Sequence, residues 1–129
     1  MPADPGYLRP LLRACWSDET SRHWRPDNPA HGQCNVTALV VHDLFGGEIL
    51  KTETPGGWHF YNRIDGKRHD LTDTQFDTPV AYTDQPARRD EALAGTTPGQ
   101  YRLLESRLRA ALAYRDSAMS PADSSATFS

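Results

Sequence analysis

The chain has 129 residues, 14 of them Lys or Arg and 17 Asp or Glu, for a formal net charge of −3. That length suits one domain with one core, and the absence of a basic stripe with interleaved aromatics argues against a nucleic-acid partner. No apolar run reaches the ~20 residues of a membrane span. No charged leader followed by an apolar segment opens the chain either, so the expectation is a cytoplasmic protein without a membrane partner.

Residues 5–15 read as a short helix, with Pro5 in its first turn and Tyr7, Leu8, Leu11 and Leu12 as an apolar stripe. Cys15-Trp16-Ser17 closes it, with Cys15 a structural thiol and Trp16 a core anchor. The polar connection 17–30 contains His23 and Trp24, and Pro26 and Pro29 force extended or turn geometry before the next element. His31-Gly32-Gln33-Cys34 then leads into Val36, Leu39, Val40 and Leu44, a helical spacing that predicts a helix over 34–45. Gly46 suits its C-terminal cap.

Glu48–Thr54 reads as a strand, Pro55-Gly56-Gly57 as a turn, and 58–64 as a second strand rich in aromatics. Asp65-Gly66 is a two-residue hairpin signal, returning the chain as a third strand over 67–72. A further short strand is expected at 80–82. Thr97 and Pro98 open a helix over 98–115 with Tyr101, Leu104, Leu108, Ala111 and Leu112 on its apolar face. The fold class is therefore α+β: residues 1–116 form one domain in which a three-stranded antiparallel meander covers the Cys34 helix, flanked by N- and C-terminal helices. The Ser/Ala/Pro-rich tail 117–129 is expected to be disordered.

The chemistry concentrates on Cys34. Its place in the first turn of a helix puts the sulfur beside unpartnered N–H groups and the positive end of the helix dipole, which favours a thiolate. A two-residue turn at Asp65-Gly66 pairs Ile64 with Lys67, Tyr61 with Asp70 and His59 with Thr72. His59, Tyr61, Asp70 and Thr72 then share one face, and Trp58, Phe60, Ile64 and Leu71 share the other. On this register Asp70 stands diagonal to His59 and Asn62 faces away from it. A one-residue slip would exchange Asp70 for His69 or Leu71. The order Cys34, His59, Asp70 supplies a nucleophile, a general acid/base and an orienting carboxylate. The Cys34 N–H and a side-chain donor, Gln33 or Trp24, are candidates to stabilise an oxyanion, and Trp58 and Tyr61 to contact substrate.

Gly32-Gln33-Cys34-Asn35-Val36-Thr37-Ala38 resembles the nucleophile motif of transglutaminases, and Asp70-Leu71-Thr72 is similar to their Asp-Pro-Thr. The resemblance implies a papain-like or transglutaminase-like core with Cys34, His59 and Asp70 as its triad. More closely, the block from Cys15-Trp16-Ser17 to Gln75-Phe76 resembles the small bacterial YunG-like family. Gly32-Gln33-Cys34, Phe45-Gly46-Gly47, Trp58-His59-Phe60-Tyr61-Asn62 and Asp70-Leu71-Thr72 carry that likeness. Asn35 stands where transglutaminases have an aromatic residue, and no acidic cluster with calcium-site spacing is present. Hydrolysis or deamidation of an amide is thus the simpler expectation than amine cross-linking.

Three functional readings follow. The first is a cysteine-dependent amide or thioester hydrolase or acyltransferase, needing no cofactor and acting on a peptide, protein or small amide. The second is a binding module on the same scaffold, with Trp24, Trp58 and Tyr61 lining a groove. The third is a zinc site drawn from His31, Cys34, His59 and Asp70, whose residue types suit that metal.

Overall fold

The apolar run after Cys34 becomes the central helix α2, Cys34–Phe45, with Val36, Thr37, Ala38, Leu39, Val40 and Val41 all buried. A helix buried on most of its circumference needs partners on more than one side. In the computed structural model, which describes residues 5–119, α2 finds them in a small sheet and in three other helices. It ends at Gly46, whose positive φ of 79° lets its N–H return to the His42 carbonyl at 2.8 Å.

The sheet has four antiparallel strands: β1 Glu48–Thr54, β2 Gly57–Ile64, β3 Lys67–His69 and β4 Gln85–Ala87, in the order β3-β2-β1-β4. Asp65 and Gly66 both adopt positive φ (52° and 77°), the primed turn that suits a two-residue hairpin. Ile64 pairs with Lys67 and Asn62 with His69, the expected register. The ladder stops at His69 rather than at residue 72, because the chain bends into a 3-10 turn at Asp73–Gln75. Residues 80–82 are not a strand; the fourth strand lies at Gln85–Ala87, where Pro86 is tolerated because β4 is an edge.

Cross-strand partners assign the faces. Leu50 opposes Tyr61 and Thr52 opposes His59, while Ile49 opposes Asn62 and Lys51 opposes Phe60. The second set faces α2: Phe60 and Ile49 pack with Ala38 and Leu39, and the Asn62 amide donates to the Ala38 carbonyl at 3.0 Å. Ala92, on the short helix α3 (Arg89–Leu93), closes this cluster.

The other side of α2 meets α1 (Leu8–Cys15) and α4 (Pro98–Met119). Leu8, Leu12, Trp16, Val36, Val40, Leu104 and Leu108 form one buried cluster there. The Trp16 indole N–H donates to Thr37 Oγ1 at 2.9 Å, so even this polar edge is satisfied inside the core. Residues 5–7 form a 3-10 turn ahead of α1. The C-terminal helix runs past the expected residue 115 to Met119, and the rest of the expected tail lies outside the described residues. Among the described residues no helix is long and apolar enough to cross a membrane.

Candidate active site

Both cysteines are free thiols, and their surroundings differ. Cys15 is buried, and burial pushes its thiol above the ordinary range. Cys34 is half-buried, is the first residue of α2 and lines a cavity of about 700 Å³. His59, Trp58, Gln75 and Phe76 line the same cavity. Among the described residues, the Cys34 and Asn35 N–H groups have no backbone acceptor, as expected at a helix start.

His59 is 2% exposed, on β2. Its Nε2 lies 2.7 Å from Asp70 Oδ2, while Nδ1 is buried and has no hydrogen-bond partner. Burial of the ring works against its charged form, but the Asp70 carboxylate and then Cys34 outweigh it, so the imidazole pKa is pushed up to about 9. Cys34 is thus close enough to bias the ring, although no hydrogen bond closes on Nδ1. Phe76 meets the ring edge-on at 4.7 Å and Tyr61 stacks beside it at 5.7 Å, which fixes its plane.

Asp70 sits one residue beyond β3, and every lone-pair direction of its carboxylate has a use. Oδ2 accepts from His59 and from the Tyr82 hydroxyl at 2.7 Å; Oδ1 accepts from the Thr72 N–H at 3.3 Å and hydroxyl at 3.4 Å. The Asp70 carbonyl accepts from Arg9 of α1 at 2.9 Å, and Arg9 also pairs with Asp73 at 2.7 Å. The first helix therefore braces the loop that presents the carboxylate.

The family model described as "YunG protein" matches residues 4–113, a span that contains Cys34, His59 and Asp70. The chain belongs to the YunG family. It is 43% identical over 98 residues to a protein of Bacillus subtilis (strain 168) named "Uncharacterized protein YunG", an overlap of 76% of this chain and 85% of that relative. No solved structure matches the chain.

Other residues singled out in this YunG-family chain are placed differently. Gln33 is fully buried and does not line the cavity: its carbonyl oxygen accepts from the Thr20 hydroxyl at 2.9 Å and its amide donates to the Ser17 carbonyl at 3.4 Å. Its side chain therefore ties the 17–20 turn to the head of α2. Trp24 packs against the α1–α4 cluster and is also absent from the lining. Tyr61 is buried, its hydroxyl donating to Asp84 Oδ1 at 2.7 Å and lying 2.6 Å from Thr52 Oγ1. It supports His59 from beside the cavity. Trp58 does line the cavity, 45% exposed, with Lys51 Nζ 4.5 Å from its ring centroid.

Three contacts in this YunG-family site have no signal in the sequence. The Cys34 thiol donates to Asn35 Oδ1 at 3.4 Å, and the Asn35 amide donates to the Ala92 carbonyl at 3.0 Å. The second bond fixes which end of the amide faces the sulfur. Tyr82, from the loop beyond the hairpin, completes the Asp70 shell. Among the described residues, no three His, Cys, Asp or Glu side chains gather closely enough to hold a metal ion. The zinc alternative built on His31, Cys34, His59 and Asp70 thus loses its donor set: His59 Nε2 and Asp70 are engaged with each other.

Proposed function

We propose that this chain is a cysteine-dependent hydrolase or acyltransferase acting on amides or thioesters, with a core arranged as in papain-like and transglutaminase-like enzymes. One observation carries the reading. A buried imidazole is locked through Nε2 to a carboxylate, and its other nitrogen is left without a partner on the side of a half-buried helix-head thiol. His42 Nδ1 is also buried without a partner, so the free nitrogen of His59 counts only together with its Asp70 bond and the Cys34 thiol in the same cavity; a general base keeps one nitrogen for its nucleophile.

In this reading Cys34 gives its proton to His59 Nδ1, and the ring retains it near neutral pH because Asp70 stabilises the imidazolium. The sulfur attacks the carbonyl carbon, and the oxyanion forms beside the Cys34 N–H at the positive end of α2. Collapse breaks the bond to nitrogen or to the leaving sulfur, which departs with the proton from His59. Water then attacks the Cys34 thioester and delivers a proton to the ring. The carboxylic acid leaves and the thiol is regenerated. Asp70 stays ionised throughout and orients the ring.

Alkylation by iodoacetamide at pH 7 tests this without a known substrate. Cys34 is expected to react roughly tenfold faster than glutathione, because the neighbouring His59 ring takes the thiol's proton as the sulfur attacks. His59→Gln should remove that excess. Equal, slow labelling of Cys34 in both proteins would sink the proposal.

A further inference from the structure

We infer that the cavity beside Cys34 selects an amide or thioester that carries a carboxylate close to the reacting carbonyl, with Arg22 as the residue that holds the anion; this rests on the nucleophilic role proposed above for Cys34. The chain as a whole is acidic, with a net charge of −3, yet no Asp or Glu is among the residues that line the cavity. Arg22, His23 and His31 all line it, as do the aromatic side chains Trp58 and Phe76. Most other arginines are matched to carboxylates, among them Arg9 to Asp73, Arg25 to Asp27, Arg68 to Asp84, Arg89 to Asp43 and Arg107 to Glu19; Arg13 and Arg102, which do not line the cavity, have no carboxylate partner among the described residues. Arg22 has no such partner among the described residues. An unpaired guanidinium on the wall of a cavity free of carboxylates is a site for a planar anion.

The backbone under Arg22 is held in place. The Ser21 hydroxyl accepts from the His23 N–H at 3.2 Å, and the Ser21 carbonyl from the Trp24 N–H at 3.1 Å. Gly32 has φ +75°, and a Cβ there would lie 2.5 Å from His23 Cβ, so the loop packs directly on Gly32, two residues before Cys34. The Thr20–Gln33 bond fastens the same loop to the residue preceding the nucleophile. The backbone that carries Arg22 is therefore held relative to Cys34, with the Arg22 side chain exposed on the cavity wall. A substrate carboxylate meeting Arg22 would place its neighbouring carbonyl near the sulfur, while Trp58 and Phe76 contact the carbon chain.

Two alkylating reagents that differ only in charge test this. Iodoacetate is anionic and iodoacetamide neutral; with either, Cys34 Sγ displaces iodide from the methylene carbon. The ratio of their rates cancels any change in the thiol itself. At low salt the iodoacetate-to-iodoacetamide ratio at Cys34 is expected to exceed that of glutathione by about fivefold, the scale of one close charge pair in a wet site. Arg22→Gln should lower the ratio by about the same fivefold, leaving whatever attraction the His59 imidazolium supplies; Arg22→Lys should restore part of it, and added salt should compress it. A ratio at Cys34 equal to that of glutathione, with iodoacetamide still reacting fast, overturns the anion preference and leaves the nucleophile intact. A ratio unchanged by Arg22→Gln overturns the role of Arg22. Slow reaction with both reagents overturns the nucleophile and this inference with it.

Discussion

At His59 three influences meet, and their balance sets the behaviour of the site. Burial disfavours the imidazolium, while Asp70 and Cys34 favour it and prevail, raising the pKa from 6.5 to about 9. A histidine raised in the folded state contributes stability that is complete below its unfolded value and is lost as pH climbs through the folded one. Stability should therefore fall between about pH 6.5 and about pH 9, by on the order of 2–3 kcal/mol at full extent. Urea midpoints measured across that window should decline in the wild type and decline less in His59→Gln; parallel curves would contradict the assignment. Tyr82 acts one bond further out. Tyr82→Phe removes a donor to a buried carboxylate oxygen and should cost about 1 kcal/mol in urea unfolding. No loss would mean that Asp70 does not depend on it.

Elements position these side chains, and they differ in how much of themselves they reveal in sequence. The β2–β3 hairpin was legible because its determinant is local. Asp65-Gly66 tolerates positive φ at both positions, and that turn sets the register that places Asp70 beside His59. The helix headed by Cys34 was legible from its apolar spacing and the glycine at its end. What escaped depends on long-range partners. Gln33 looks like a donor for an oxyanion because it adjoins Cys34, but its amide donates to the Ser17 carbonyl, sixteen residues earlier, and its oxygen accepts from Thr20. Tyr82 and Asp84 lie in a loop without periodicity, and only the folded sheet brings them to Asp70 and Tyr61. β4 carries a central proline that reads against a strand until its edge position is known. The α3–α4 turn makes a further demand: a Cβ at Gly95 would lie 2.4 Å from Asn35 Nδ2. Gly95→Ala should push Asn35 off the Ala92 carbonyl, costing about 1–3 kcal/mol and changing the alkylation rate of Cys34. A neutral outcome in both measurements would show that the contact does not hold the thiol.

Across the whole molecule, one helix serves two cores and one site. α2 gives Val36 and Val40 to the cluster with α1 and α4, gives Ala38 and Leu39 to the sheet, and holds Cys34 at its head. Leu104 and Leu108 of α4 are fully buried against it. Leu104→Ala should cost about 2–5 kcal/mol in the urea midpoint, as expected for a cavity in a packed core. A loss under ~1 kcal/mol would show that α4 is not integral to that core. Stability and site geometry thus share a scaffold, and the proposed function requires that sulfur, imidazole and carboxylate act on one another as a coupled set. Histidine ring NMR across a pH titration measures that coupling with no substrate at all. The prediction is a His59 midpoint near 9 in the wild type, lowered in Cys34→Ala and lowered further in Asp70→Asn. A His59 that titrates at its ordinary value of about 6.5, indifferent to both substitutions, would contradict it.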